Sequence, residues 1–133
     1  MIIEYFGFKP TTVQIKKIEK QLGPGEWEVC TDKDADYKCK EYIIDSLGLF
    51  NPEFLASETG LDEKIFKKLQ QLQPLCEDGN DAIEALIKST CGIDSFVESA
   101  VGADGRGHFL SPYDSNEVEI KLGKKTVFAY RTN

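Results

Sequence analysis

The sequence predicts an α+β domain, with a helical middle of about five helices packed on a small antiparallel sheet and a C-terminal β-hairpin at the end. Three observations carry this. Apolar residues recur at helical spacing through most of residues 32–101. Short alternating segments stand before and after that stretch. A chain of 133 residues with 41% hydrophobic content is enough for one core, so a single domain spanning 1–133 is expected.

Taken in order, Ile2–Phe6 is apolar and aromatic around Glu4 and suits a short strand. Lys9-Pro10-Thr11-Thr12 starts a helix carrying Ile15, Ile18 and Leu22, and Gly23-Pro24-Gly25 stops it. Trp27 and Val29 alternate with Glu26 and Glu28, as in a half-buried strand. Thr31 or Asp32 caps the next helix, with acids at 32, 34 and 36 near its positive end and Ala35, Cys39, Tyr42, Ile43 and Leu47 as its apolar face. Asn51-Pro52-Glu53 opens a short helix ending at Gly60. Asp62 caps its successor, whose stripe is Ile65, Phe66, Leu69 and Leu72, with Pro74 as its end. Asn80 or Asp81 opens a helix with Ile83, Leu86 and Ile87, and Asp94 caps one with Phe96, Val97, Ala100 and Val101. Glycines 102, 105 and 107 then read as a tight connection requiring positive φ. Residues 118–122 and 126–130 alternate about Gly123-Lys124 and form the hairpin, so the helices are expected on one face of the sheet.

Composition excludes several function classes. No apolar run reaches the length of a membrane span, and the N-terminus carries Glu4 and lacks the pattern of a secretory signal. Cysteines 30, 39, 76 and 91 form no C-x-x-C pair, so free thiols are expected, with no metal and no cofactor. The net charge of −7 argues against membrane association and against direct nucleic-acid binding. That charge is uneven. Residues 24–60 hold nine acids and three bases, and residues 77–104 hold seven acids and one base.

Four constellations carry chemistry. Asp32, Asp34, Asp36, Glu41 and Asp45 fall on one helix, and a second block offers Glu77, Asp78, Asp81 and Glu84. Carboxylates spaced along a surface can mimic phosphates and dock on a basic protein. Residues 54–69, with Ala56, Gly60, Leu61, Phe66 and Leu69, follow a helix-turn-helix pattern. Its second helix would offer Lys64, Lys67, Lys68 and Gln71, with Gln70 beside them, to a duplex. Asp104, Arg106 and His108 are the candidates for acid–base chemistry, and a Ser111–His108–Asp114 triad can be written. The glycine loop itself matches no phosphate-binding fingerprint and precedes no expected helix.

The stretch DGRGHFLSPYD, with the ending FAYRTN, resembles small uncharacterised proteins of bacteriophage and prophage genomes, and EWEVCTDKDAD…EYIIDSL…FNPEFL is similar to their N-terminal half. The resemblance covers most of residues 26–133 and implies a bacterial cytoplasm and action on host machinery, with no catalytic residue. The resulting expectation is a non-enzymatic acidic protein that docks on a basic surface, as an inhibitor or nucleic-acid mimic. The alternatives are a helix-turn-helix DNA-binding regulator and a small enzyme centred on residues 102–114.

Overall fold

The structure, a computed structural model, describes residues 1–72 and 78–133. Pro74, Cys76 and Glu77 lie outside the described residues, and so does the helix end expected at Pro74. The chain divides into two compact units, one of residues 1–40 with 104–133 and one of residues 41–103.

The first unit is built on a four-stranded sheet. Strand β1 (Ile2–Phe6) leads through helix α1 (Thr12–Gln21) into β2 (Glu26–Thr31). Its other strands are β3 (Val118–Leu122) and β4 (Lys125–Arg131), and the spatial order is β1-β2-β4-β3. The sheet is mixed where an antiparallel one was expected. β1 and β2 run parallel with Ile3 opposite Trp27, while β2–β4 and β3–β4 are antiparallel. The reason is the intervening helix: a parallel pair needs a crossover connection, and α1 supplies it. Thr11 begins α1 with a capping box, its hydroxyl accepting from the Gln14 amide while the Gln14 side chain accepts from the Thr11 amide.

Helices cover both faces of this sheet, against the expectation of one. On one face Ile18 of α1 and Leu22 at its C-terminal cap bury against Trp27, Val29, Ile120, Leu122, Val127 and Ala129. On the other lies the first part of helix α2 (Asp32–Asp45), where Lys38 pairs with Glu28 at 3.1 Å and sits over the Phe6 ring. The Thr31 hydroxyl accepts from the Asp34 amide at the start of α2, as the cap expected there does. Ala35 and Cys39 bury as expected, whereas Tyr42 is exposed.

The second unit contains the rest of α2, a 3₁₀ turn (Leu47–Leu49), α3 (Pro52–Thr59), α4 (Glu63–Leu72), α5 (Asp78–Ser89) and most of α6 (Ile93–Asp104). With α2, these are the expected helices of the middle. Asn80 was expected at the start of a helix. The helix begins earlier, and the Asn80 side chain instead accepts from the Gly48 amide and donates to the Ile44 carbonyl, tying α5 to the 3₁₀ turn. Leu55, Phe66, Ile83, Ile87, Phe96 and Ala100 are buried, and the rings of Phe50 and Phe54 each lie 5.5 Å from Phe96. Ile65 and Leu72, placed in the apolar stripe by spacing, are exposed.

The glycine loop is not a loop. α6 continues through Gly102 to Asp104, Gly105 takes φ 82°, and helix α7 (Arg106–Leu110) follows at once. Only Gly105 of the three uses the positive φ expected there. Gly107 is helical, and position 107 needs a glycine for space: a Cβ on it would stand 2.7 Å from the Ser115 carbonyl oxygen and 2.9 Å from the Glu117 nitrogen.

Candidate functional site

The structure brings some of the candidate residues together and separates others. In the first unit, Arg106 on α7 reaches α2 and the segment before β3. Its Nη1 donates to Asp32 Oδ1 at 2.8 Å and Asp36 Oδ1 at 2.9 Å, and its Nε and Nη2 both reach Glu117 Oε1. Asp32 and Asp36 stand one helical turn apart, so one guanidinium spans both. The guanidinium also lies 4.5 Å from the Phe128 ring centroid, a cation–π distance. Tyr130, fully buried, donates to the same Glu117 oxygen at 2.7 Å. Burial, and then the hydrogen bond to Glu117, push the phenol pKa far up, so Tyr130 remains a donor. Burial likewise pushes the thiols of Cys30 and Cys39 up to about 11, which keeps them protonated and poor nucleophiles.

This arrangement changes the acidic face. Asp32 and Asp36 share an internal cation, and Asp34 accepts the Thr31 hydroxyl at 3.1 Å. Glu41 and Asp45 are exposed and belong to the second unit. Of the other acidic block, Asp81 is exposed and Glu84 pairs with Lys88 at 3.2 Å.

The enzyme reading loses its geometry. Arg106 is committed to the ion cluster, and Asp104 and His108 are exposed, the His108 ring standing nearly perpendicular to Phe109 with centroids 4.9 Å apart. The triad does not form. Ser111 is fully buried, lies 2.8 Å from Asp114 Oδ1 and 3.1 Å from the Arg131 carbonyl, and accepts from the Arg131 amide at 3.0 Å. It fastens the 111–116 segment to the end of β4. Removing that hydroxyl leaves the half-buried Arg131 amide without this acceptor, so Ser111→Ala is expected to cost about 1–2 kcal/mol in urea denaturation. The Asn116 amide and then the Ser111 hydroxyl hold the Asp114 carboxyl below its usual range. A depressed carboxylate stabilises above its unfolded pKa, so this part of the fastening is full at neutral pH and fades as pH falls through the folded value.

In the second unit the helical hairpin is fully formed. Gly60 ends α3 at φ 74° with its amide on the Ala56 carbonyl, and Asp62 Oδ1 accepts the Lys64 amide at the start of α4. Leu55 and Phe66 are buried on facing sides of the turn, and Gln70 donates to the Phe50 carbonyl at 2.6 Å, which fixes α4 from its inner side. Lys64, Lys67, Lys68 and Gln71 are all exposed, at the i, i+3, i+4, i+7 spacing of one helix face. Lys67 pairs with Glu63 at 3.0 Å. Spacing placed Lys64, Lys67, Lys68 and Gln71 in solvent as the structure has them, but Gln70, expected beside them, is half-buried and bonded inward. The Arg106 cluster was not visible, because two of its three acids, Asp32 and Asp36, lie about seventy residues away from the arginine along the chain.

Among the described residues no helix is long and apolar enough to cross a membrane, and no group of three or more metal-ligating side chains converges. No protein-family model, no curated protein and no solved structure matches the chain.

Proposed function

We infer that the protein is a nucleic-acid-binding module of helix-turn-helix type, with α4 as the helix presented to a duplex. The observation that carries this reading is the exposed Lys64–Lys67–Lys68–Gln71 face on a helix held at both ends, by the Asp62 cap and by Gln70. Seven residues of helix rise span roughly 10 Å, and a major groove admits an α-helix. The lysines would contact phosphates and Gln71 a base edge. The acids of residues 41–103 oppose this, Asp62 and Glu63 at the start of α4 most directly, while exposed acids farther than roughly 8 Å from the duplex are screened at physiological salt.

The test is fluorescence anisotropy with a labelled duplex of random sequence at low salt. The parent chain is expected to bind. Lys64→Gln, Lys67→Gln and Lys68→Gln together are expected to weaken binding at least about tenfold and to lower the log–log salt slope by about 2–3. No rise in anisotropy at micromolar protein, or identical binding by the triple variant, rejects α4 as the site.

A second reading has its own support. Residues 41–103 hold twelve acids and four bases, so the chain's excess negative charge falls there. On this reading Glu41 and Asp45 lead an acidic face onto a basic partner protein, with Asp32, Asp34 and Asp36 contributing less because their carboxylates are already engaged. A pull-down at moderate salt in which Glu41→Lys and Asp45→Lys retain the partner rejects it. For either reading the setting we propose is a bacterial cytoplasm carrying phage or prophage genes, on the resemblance of residues 104–114.

A further inference from the structure

A second basic surface lies in the first unit, on helix α1. Val13, Lys16, Lys17 and Lys20 share the face of α1 opposite buried Ile18, and all four are exposed. Glu19, the only acid on the helix, lies around its flank toward Tyr5, whose phenol pKa burial and then Glu19 raise. The tip of the β3–β4 hairpin extends this surface. The Lys125 ammonium lies 4.6 Å from the Phe8 ring centroid, which pins the tip beside the entry to α1, where Lys9 and Lys124 are also exposed. None of these six lysines has a salt bridge among the described residues, whereas Lys38, Lys67 and Lys88 each have one.

We propose that the outward face of α1, with the corner formed by Lys9, Lys124 and Lys125, binds the phosphodiester backbone of a nucleic acid without regard to sequence. Lysine ammonium groups act as point charges that suit phosphate oxygens from many directions. A lysine ammonium makes no bidentate pairing with an adenine edge, so these six side chains contribute affinity and little sequence preference. A lipid surface fits less well. An interfacial helix must offer an apolar face, and that of α1 is spent on the sheet, where Ile18 and Leu22 are buried, leaving only Val13 outside. The proposal does not depend on α4, which lies in the other unit.

The experiment uses the full chain and a labelled random-sequence oligonucleotide, single- and double-stranded, by anisotropy across a salt series. A Lys16→Ala, Lys17→Ala, Lys20→Ala variant keeps good helix formers at exposed positions, and circular dichroism checks that it folds. Lys125→Ala serves as an independent second variant. The expected result is at least about a tenfold loss of affinity in the α1 variant and a salt slope lower by about 2–3. Unchanged binding in both variants, or no binding by the parent, overturns the proposal. Measured beside the α4 triple variant, a loss confined to α4 overturns this proposal and leaves the α4 reading standing, and a loss confined to α1 does the reverse. Binding to vesicles of mixed anionic and zwitterionic lipid that needs the α1 lysines, with none to oligonucleotide, overturns it in favour of a lipid surface. Lysine-dependent binding to polyglutamate alone overturns it in favour of an acidic protein.

Discussion

Gly107→Ala is expected to destabilise the protein by about 2 kcal/mol, although alanine is the better helix former. The added methyl would stand 2.7 Å from the Ser115 carbonyl oxygen, 2.8 Å from the Asn116 carbonyl carbon and 2.9 Å from the Glu117 nitrogen. All three are backbone atoms, and no flexible side chain can swing aside. Residue 115 already holds a positive φ of 59°, and its amide is bound to the Ser111 carbonyl at 2.8 Å, so the strand entry has little room to retreat. Gly102 gives the internal control. It is helical and exposed with nothing near its absent Cβ, and Gly102→Ala is expected to stabilise by about 0.5–1 kcal/mol. Urea midpoints of the two variants should move in opposite directions.

Arg106→Met is expected to cost about 2–3 kcal/mol, less than the roughly 3–5 kcal/mol typical of breaking a fully buried ion pair. The discount follows from the geometry. The arginine side chain is only 11% exposed, yet Asp32 and Asp36 are 69% and 67% exposed and regain water when it leaves. Glu117, 30% exposed and beside buried Tyr130, bears most of the loss. Asp36→Asn should therefore shift the urea midpoint little, by about 0.5 kcal/mol or less. If Asp36→Asn cost as much as Arg106→Met, the cluster would depend on its exposed arm, and the assignment of its energy to Glu117 would be wrong.

The residues that could be read from the sequence are those whose partners are near in the chain. The Thr11 and Asn51 starts, the Gly60 stop, the Asp62 cap and the Gly123 hairpin turn all depend on neighbours within four residues. Features set by distant partners were not legible. The parallel β1–β2 pairing came from the crossover, the second covered face of the sheet from α2, and the burial of Ser111 from a strand twenty residues on. The same limit shaped the site. The acidic helix shows its carboxylates plainly, but the arginine that spans two of them lies in another segment. The lysines of α1 and those of the hairpin tip stand over a hundred residues apart in sequence, and net charge averaged over the whole chain concealed them.

The proposed role of α4 requires that a nucleic acid touch its outward face. The most direct measurement is a titration of isotopically labelled protein with a short duplex, followed by backbone amide shifts. Saturable shifts are expected across residues 63–71, and they should be lost in the Lys64→Gln, Lys67→Gln, Lys68→Gln variant. Saturable shifts that leave α4 untouched, or none at millimolar duplex in low salt, would contradict it.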